Sequence, residues 1–240
     1  MSGVTCIRPH REFVLSDCGD SAVRLTSLSA DAEERWRVVH TVAAALDARG
    51  DEVAVTGIIP TYDALLVEFD CGATTHDAIR AHVERLIELP ADAAARGPRQ
   101  FEIPVVYGGE FGPDLDGVAA HLALSPAEVI RLHCEGPLTM RCFGSPGGAP
   151  MLDGPAFPRP VPRRTIPRPH VPAGAVAVAG RQAVVSARPA PGGWPVIGRT
   201  PLTIVDPATD PLSDFRPGDT FLFVPITAAE WSTYEGVRHG

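Results

Sequence analysis

AVAVAGRQAVVSARPAPGGWPVIGRTPLTIV, residues Ala175 to Val205, holds four short apolar runs: Ala175–Ala179, Ala183–Val185, Val196–Ile197 and Leu202–Val205. A fifth, Thr220–Val224, follows further on. Runs this short, interrupted by proline or glycine at intervals of roughly eight to twelve residues, are the pattern of strands joined by tight turns, and predict a closed or nearly closed β-barrel. The PGGW segment inside the stretch admits two readings. In one, Pro191 presets φ, Gly192 and Gly193 turn the chain, and Trp194 starts a strand that buries its ring. In the other, the side-chain-free backbone of Gly192 and Gly193 approaches a small ligand, and Arg199 forks onto its carboxylate or phosphate.

The bulk numbers narrow the setting. The chain has 240 residues, 45% apolar and 21% charged, which is globular composition long enough for one large domain or two smaller ones. A formal net charge of −8 argues against a nucleic-acid partner. No stretch approaches the roughly 20 apolar residues a bilayer span requires, so no membrane partner is expected. Arg8, His10, Arg11 and Glu12 stand where a signal peptide would need an apolar core, and the expected location is cytoplasmic. The five cysteines (Cys6, Cys18, Cys71, Cys134, Cys142) form no CxxC pair, consistent with a reducing compartment and no metal site. Cys134 directly follows His133, but sequence neighbours rarely point the same way, which favours a buried thiol over a nucleophile.

Four of the 25 prolines lie in the first hundred residues, and glycine is skewed toward the second part in the same way. With the small, polar stretch Ala91–Gln100 as linker, the composition predicts domains at 1–95 and 96–240. The first reads strand, strand, helix, strand, strand, helix, an α+β layer. Its strands are expected at Glu12–Leu15, Ala22–Leu25, Val53–Ile59 and Ala64–Phe69. One helix runs from an Asp31 cap to Gly50, with Trp36, Val39, Ala43 and Leu46 on one face; another starts near Thr75, with Ile79, Val83, Leu86 and Ile87. In the second domain Ser125-Pro126-Ala127-Glu128 opens a short helix to about His133, the one helix expected within the barrel.

Several motifs, in order, resemble one family. They are PTYDALLVEFD (Pro60–Asp70), FEIPVVYGGEFGPDL (Phe101–Leu115), PRRTIPRPHVPAGAVAVAG (Pro162–Gly180), PGGWPVIGRTP (Pro191–Pro201) and RPGDTFLFVPI (Arg216–Ile226). The chain is similar to the family of the B-type subunit of prokaryotic 5-oxoprolinase, also known as allophanate hydrolase subunit 1 or the Kip-type kinase inhibitor, and its second domain to part of urea carboxylase. The resemblance implies a cyclophilin-like β-barrel after an α+β N-terminal domain. It also implies a partner, the C-type subunit of the complex, on a similar barrel with the active site at or near their interface, and a third, A-type component. The implied reaction opens a lactam at the expense of ATP, bound in the complex and not necessarily by this chain. One branch of the family inhibits a histidine kinase, so a regulatory binding protein is an alternative, as is a tailoring enzyme of secondary metabolism.

Under the resemblance His133, Arg199 and Glu110 become candidate catalytic residues. His133 would move a proton with Glu110 and Asp114 nearby, and Arg199 would orient an anionic group. His133 could equally serve only the carbonyls that end its helix. Tyr107, Ser145, Pro146, Gly147, Arg168, Gly192, Gly193 and Trp194 are the candidate substrate-binding residues. Arg163, Arg164 and Arg168 form either an anion clamp or a face for the partner protein. The chain departs from the family at CFGSPGGAPML (Cys142–Leu152), where Gly144 and Gly148 replace two phenylalanines and Pro150 stands near a tyrosine position. Two other family tyrosines are replaced, one near Leu138 and one at Ser186 or Ala187. Lost rings remove the walls of a pocket, so either a substrate of different shape or a protein that works by binding without catalysis is expected.

Overall fold

Asp31 accepts a hydrogen bond from the Glu34 amide at 2.7 Å, and this cap starts the first helix, α1 (Ala32–Asp47). The structure is a computed structural model that describes residues 4–6, 13–49, 53–88, 97–144 and 147–237. Its contacts divide the chain into two units, Met1–Arg96 and Gly97–Gly240.

In the first unit β1 (Val4–Cys6), β2 (Phe13–Asp17), β3 (Ala22–Ser27), β4 (Val55–Pro60) and β5 (Ala64–Phe69) form an antiparallel sheet in the order β1-β2-β3-β5-β4. Strand alternation turns Leu15, Val23, Leu25, Leu65 and Val67 to one face, against Val39, Val42 and Leu46 of α1 and Ile79, Val83 and Leu86 of α2 (His76–Glu88). Trp36 is only half buried and lies on His40 instead of in this core. Glu12 and Gly50, expected boundaries, fall outside the described residues, as does most of the expected linker.

The second unit is a β-barrel. Its strands are β6 (Gln100–Tyr107), β7 (Leu138–Gly144), β8 (Ala149–Asp153), β10 (Ala175–Ala179), β11 (Gln182–Val185), β13 (Val196–Arg199) and β14 (Thr220–Pro225). They close in the order β10-β11-β8-β7-β14-β6-β13, with β14 parallel to β6. Ile103, Val105, Met140, Leu152, Val176, Val178, Ile197, Phe221 and Phe223 point inward as one core. The alternate residues Ala175, Ala177, Val184 and Val196 point outward. There a two-stranded ribbon, β9 (Arg168–Val171) and β12 (Ala190–Gly192), lays Val171 and Trp194 over them.

Two expectations for this unit need correction. Leu202–Val205 is not a strand: the Leu202 amide goes to the Thr200 hydroxyl at 3.3 Å, a local bond that removes it from any ladder, although Leu202 and Ile204 are buried. Nor is the helix at Ser125 alone. That helix, α4 (Pro126–His133), has its capping box, but α3 (Leu115–Leu122) precedes it and α5 (Trp231–Tyr234) follows β14. Leu115, Val118, Ala119 and Leu122 of α3 are buried at helical spacing.

Candidate functional site

The turn after β6 is built by close approach of backbone. Gly112 donates to the Gly108 carbonyl at 2.8 Å, and a Cβ on Gly112 would sit 2.0 Å from the carbonyl oxygen of Ile197, so nothing larger than glycine fits. The turn delivers Asp114 against β13, where its carboxylate accepts the Val196 amide at 2.7 Å. The same carboxylate takes Arg164 Nη1 at 2.6 Å and Arg168 Nη1 and Nη2 at 2.5 and 2.9 Å. Three motifs distant in sequence thus meet on one side chain. Burial acts to raise the Asp114 pKa, but the Arg168 bond, the Val196 amide and the two guanidinium charges outweigh it and hold the carboxyl below its ordinary value.

Fixed in this way, the strap before β9 walls a cleft of about 280 Å³ on the outward face of the barrel. Its floor is apolar: Ala149, Met151, Val171, Ala177 and Val184. Ser186, Ala187 and the segment from Ala190 to Trp194 form one side, and the side chains of Arg163 and Arg188 complete the lining. Arg163 lies over the Trp194 ring, 5.8 Å from its centroid. Arg188 crosses Gly147: a Cβ there would come within 2.6 Å of the arginine Cδ, and the backbone holds φ +94°, which favours glycine. No carboxylate is among the described lining residues.

Gly147, Gly192, Gly193 and Trp194 of the sequence-derived site therefore come together, Gly147 as the passage for Arg188 and the other three in the lining itself. Ser145 and Pro146 lie outside the described residues. Arg168 is committed to Asp114 instead of the cleft. Arg199 sends Nε to the Ala173 carbonyl at 2.9 Å and lies over Trp231, 5.2 Å from the ring centroid, away from the lining of the cleft. Glu110 is exposed on the glycine turn.

His133 is fully buried, packed on Phe223, and shares a 2.7 Å hydrogen bond between its Nδ1 and Tyr107 Oη. Tyr107 also lies 3.4 Å from Cys134 Sγ. Burial pushes the imidazole pKa down to about 3 and raises the Tyr107 phenol and the Cys134 thiol above their usual values. The trio is thus neutral near pH 7. The histidine's partner is a phenol, and the expected pairing of His133 with Asp114 is replaced by the arginine cluster.

Arg188 has no local signal in the sequence, because only the fold brings it past Gly147. Among the described residues no cluster of His, Cys, Asp and Glu could hold a metal ion, and no helix is long and apolar enough to cross a membrane.

Known proteins share the sequence pattern and the fold of this chain. The B-type subunit of 5-oxoprolinase from Bacillus subtilis (strain 168) is 35% identical over 237 residues, covering 93% of this chain and 97% of that protein. The crystal structure of TTHA0988 matches 87% of this chain at 31% identity with a TM-score of 0.75, and this chain spans 40% of that longer one. The urea carboxylase of Kluyveromyces lactis, at 16% identity and a TM-score of 0.75 over 96% of this chain and 23% of that one, shares the fold. The family pattern described as carboxyltransferase domain, subdomain C and D, matches residues 13–214 and runs through both units. The chain belongs to the carboxyltransferase-domain family, subdomain C and D.

Proposed function

We propose that this chain is one component of an ATP-dependent hydrolase complex that opens a cyclic or linear amide, of the 5-oxoprolinase kind, and that its cleft holds the acid group of the substrate. The observation that carries this reading is the lining itself. An apolar floor large enough for a small ring lies beside two guanidiniums, the Ser186 hydroxyl and the backbone of the Gly192–Gly193 turn. These groups suit a small amide with a carboxylate, which a guanidinium grips in bidentate fashion while the ring sits on the alanine and valine side chains.

The lining orients and does not transfer protons, because guanidinium stays charged throughout the accessible pH range. The activating chemistry belongs, on this reading, to a partner protein that closes over the cleft. ATP supplies that activation by phosphorylating the amide oxygen, which turns a poor electrophile into a good one. Arg164 and Arg168, the nearest candidates for a phosphate clamp in this chain, are already engaged by Asp114, and Arg199 by the Ala173 carbonyl. We therefore assign the nucleotide to the partner side.

The test is co-expression with a second-barrel, C-type partner and assay of ADP release driven by 5-oxoproline or by a longer amide acid. Turnover should need both chains. The double variant Arg163→Gln/Arg188→Gln should raise KM by about 10-fold or more with a smaller effect on kcat, since these residues bind substrate and transition state alike. Unchanged kinetics in that variant would place the substrate elsewhere.

A further inference from the structure

Some arginines of the barrel unit are paired with carboxylates, and others are not. Arg141 is paired with Asp153 at 2.7 Å, and Arg164 and Arg168 share Asp114. Arg163 and Arg188 have no carboxylate partner among the described residues, and both open onto the same cleft. Both side chains are exposed, so in a chain of net charge −8 the cleft offers two unneutralised guanidiniums to any anion that enters it.

Their anchors also differ. Arg163 is held on Trp194, at the end of the PGGW turn, whereas Arg188 is threaded past Gly147, in the connection between β7 and β8. They approach from different walls, with Met151, Ala177 and Val184 of the floor completing the lining. Small side chains, Ser186 and Ala187, line the cleft, and Gly144 leaves room for Met151, whose Cγ would be 2.6 Å from a Cβ at that position.

We propose that the ligand of this cleft carries two separate anionic groups on an apolar body, one for each of Arg163 and Arg188. The proposal rests on the reading of the cleft as the substrate site and narrows its substrate class. A compact lactam with a single carboxylate would satisfy one guanidinium and leave the other bare. An elongated amide with an acid group at each end satisfies both and covers the apolar floor between them.

Calorimetric titration of this chain alone tests it, at low ionic strength so that exposed charges are not screened. The probes are pimelate and heptanoate, of equal chain length, with two and one carboxylates. Pimelate should bind at least 10-fold more tightly, and either Arg163→Gln or Arg188→Gln should remove the difference while moving heptanoate less than about threefold. Arg163→Lys and Arg188→Lys, which keep the charge, should retain part of it. Equal affinities, a difference that only one arginine controls, or no binding of either probe would overturn the proposal. No turnover is involved, so a failure of amide cleavage in the assembled complex would be a separate result.

Discussion

Replacing Asp114 with alanine should be among the most damaging single changes outside the apolar core. The Asp114 side chain is 12% exposed, against 34% for Arg164 and 24% for Arg168. At full exposure such pairs are worth about 0–1 kcal/mol. Here the carboxylate is largely out of water, and its loss strips the Val196 amide of an acceptor and leaves two guanidiniums facing one another. Removing one member of a buried ion cluster costs about 3–5 kcal/mol, and its separate bonds do not add independently. At about 2–4 °C per kcal/mol for a chain of this size, Asp114→Ala should lower the thermal transition of the barrel unit by roughly 6–20 °C. Scanning calorimetry reads this directly. Asp114→Asn, which keeps an acceptor for Val196 but drops the charge, should fall between, and adding Arg168→Gln to Asp114→Ala should recover part of the loss. A destabilisation below about 1 kcal/mol would refute the reasoning and reduce the cluster to an ordinary surface pair.

Other outcomes follow from the same geometry. Because Asp114 has a native pKa below its unfolded value, its contribution is fully present above the unfolded value of about 3.9 and is lost as pH falls through the native one; Asp114→Asn should remove that acid-side slope in urea titrations. His133 also has a depressed pKa, so the unfolded chain takes up its proton first, and stability should erode by up to about 1.4 kcal/mol per pH unit from 6.5 down to about 3; a resonance assigned to His133 (by its loss in a His133 variant) that titrates near 6.5 in the folded protein would contradict this. His133→Ala should cost about 2–4 kcal/mol of stability through the cavity it opens beside Phe223, measured by urea denaturation, and retention of full stability would speak against a core role. Gly144→Phe should drive Met151 into the cleft and weaken pimelate binding by about 10-fold, whereas Gly148→Phe, whose Cβ would meet Phe143 and Val205 at 3.8 and 3.9 Å but at φ +77°, should chiefly lower stability.

Much of the architecture could be read from periodicity. Ile79, Val83, Leu86 and Ile87 gave α2, and the capping box at Ser125 gave α4, because each signal is local and matches the structure that satisfies it. The helix α3 carries the same apolar spacing but no expected cap, because Asp114, which precedes it, makes no side-chain bond to its first turn. Leu202–Val205 misled for the opposite reason: its apolar residues are buried by packing, while its amides are satisfied outside any ladder. In the candidate site the glycines and Trp194 were legible as a turn with a purpose. The fates of the charged residues were not. Asp114 is defined by partners 54 and 82 positions away, Arg168 by one 54 away and Arg199 by one 26 away, and nothing in the spacing of a single sequence encodes those pairings.

The parallel pairing of β6 with β14 has a consequence for synthesis. Arg99 and Asp219, bonded beside that pair, are 120 positions apart, and the other neighbour of β6, β13, is also made late. At about 5–20 residues per second, β6 leaves the ribosome on the order of ten seconds before β14 exists. For that interval a strand carrying Phe101, Ile103, Val105 and Val106 has both edges open, which is the state in which strands pair with the wrong chain. The first unit is complete by then. The barrel cannot be, because β6 has no parallel partner until Phe221 and Phe223 arrive with β14 to close it.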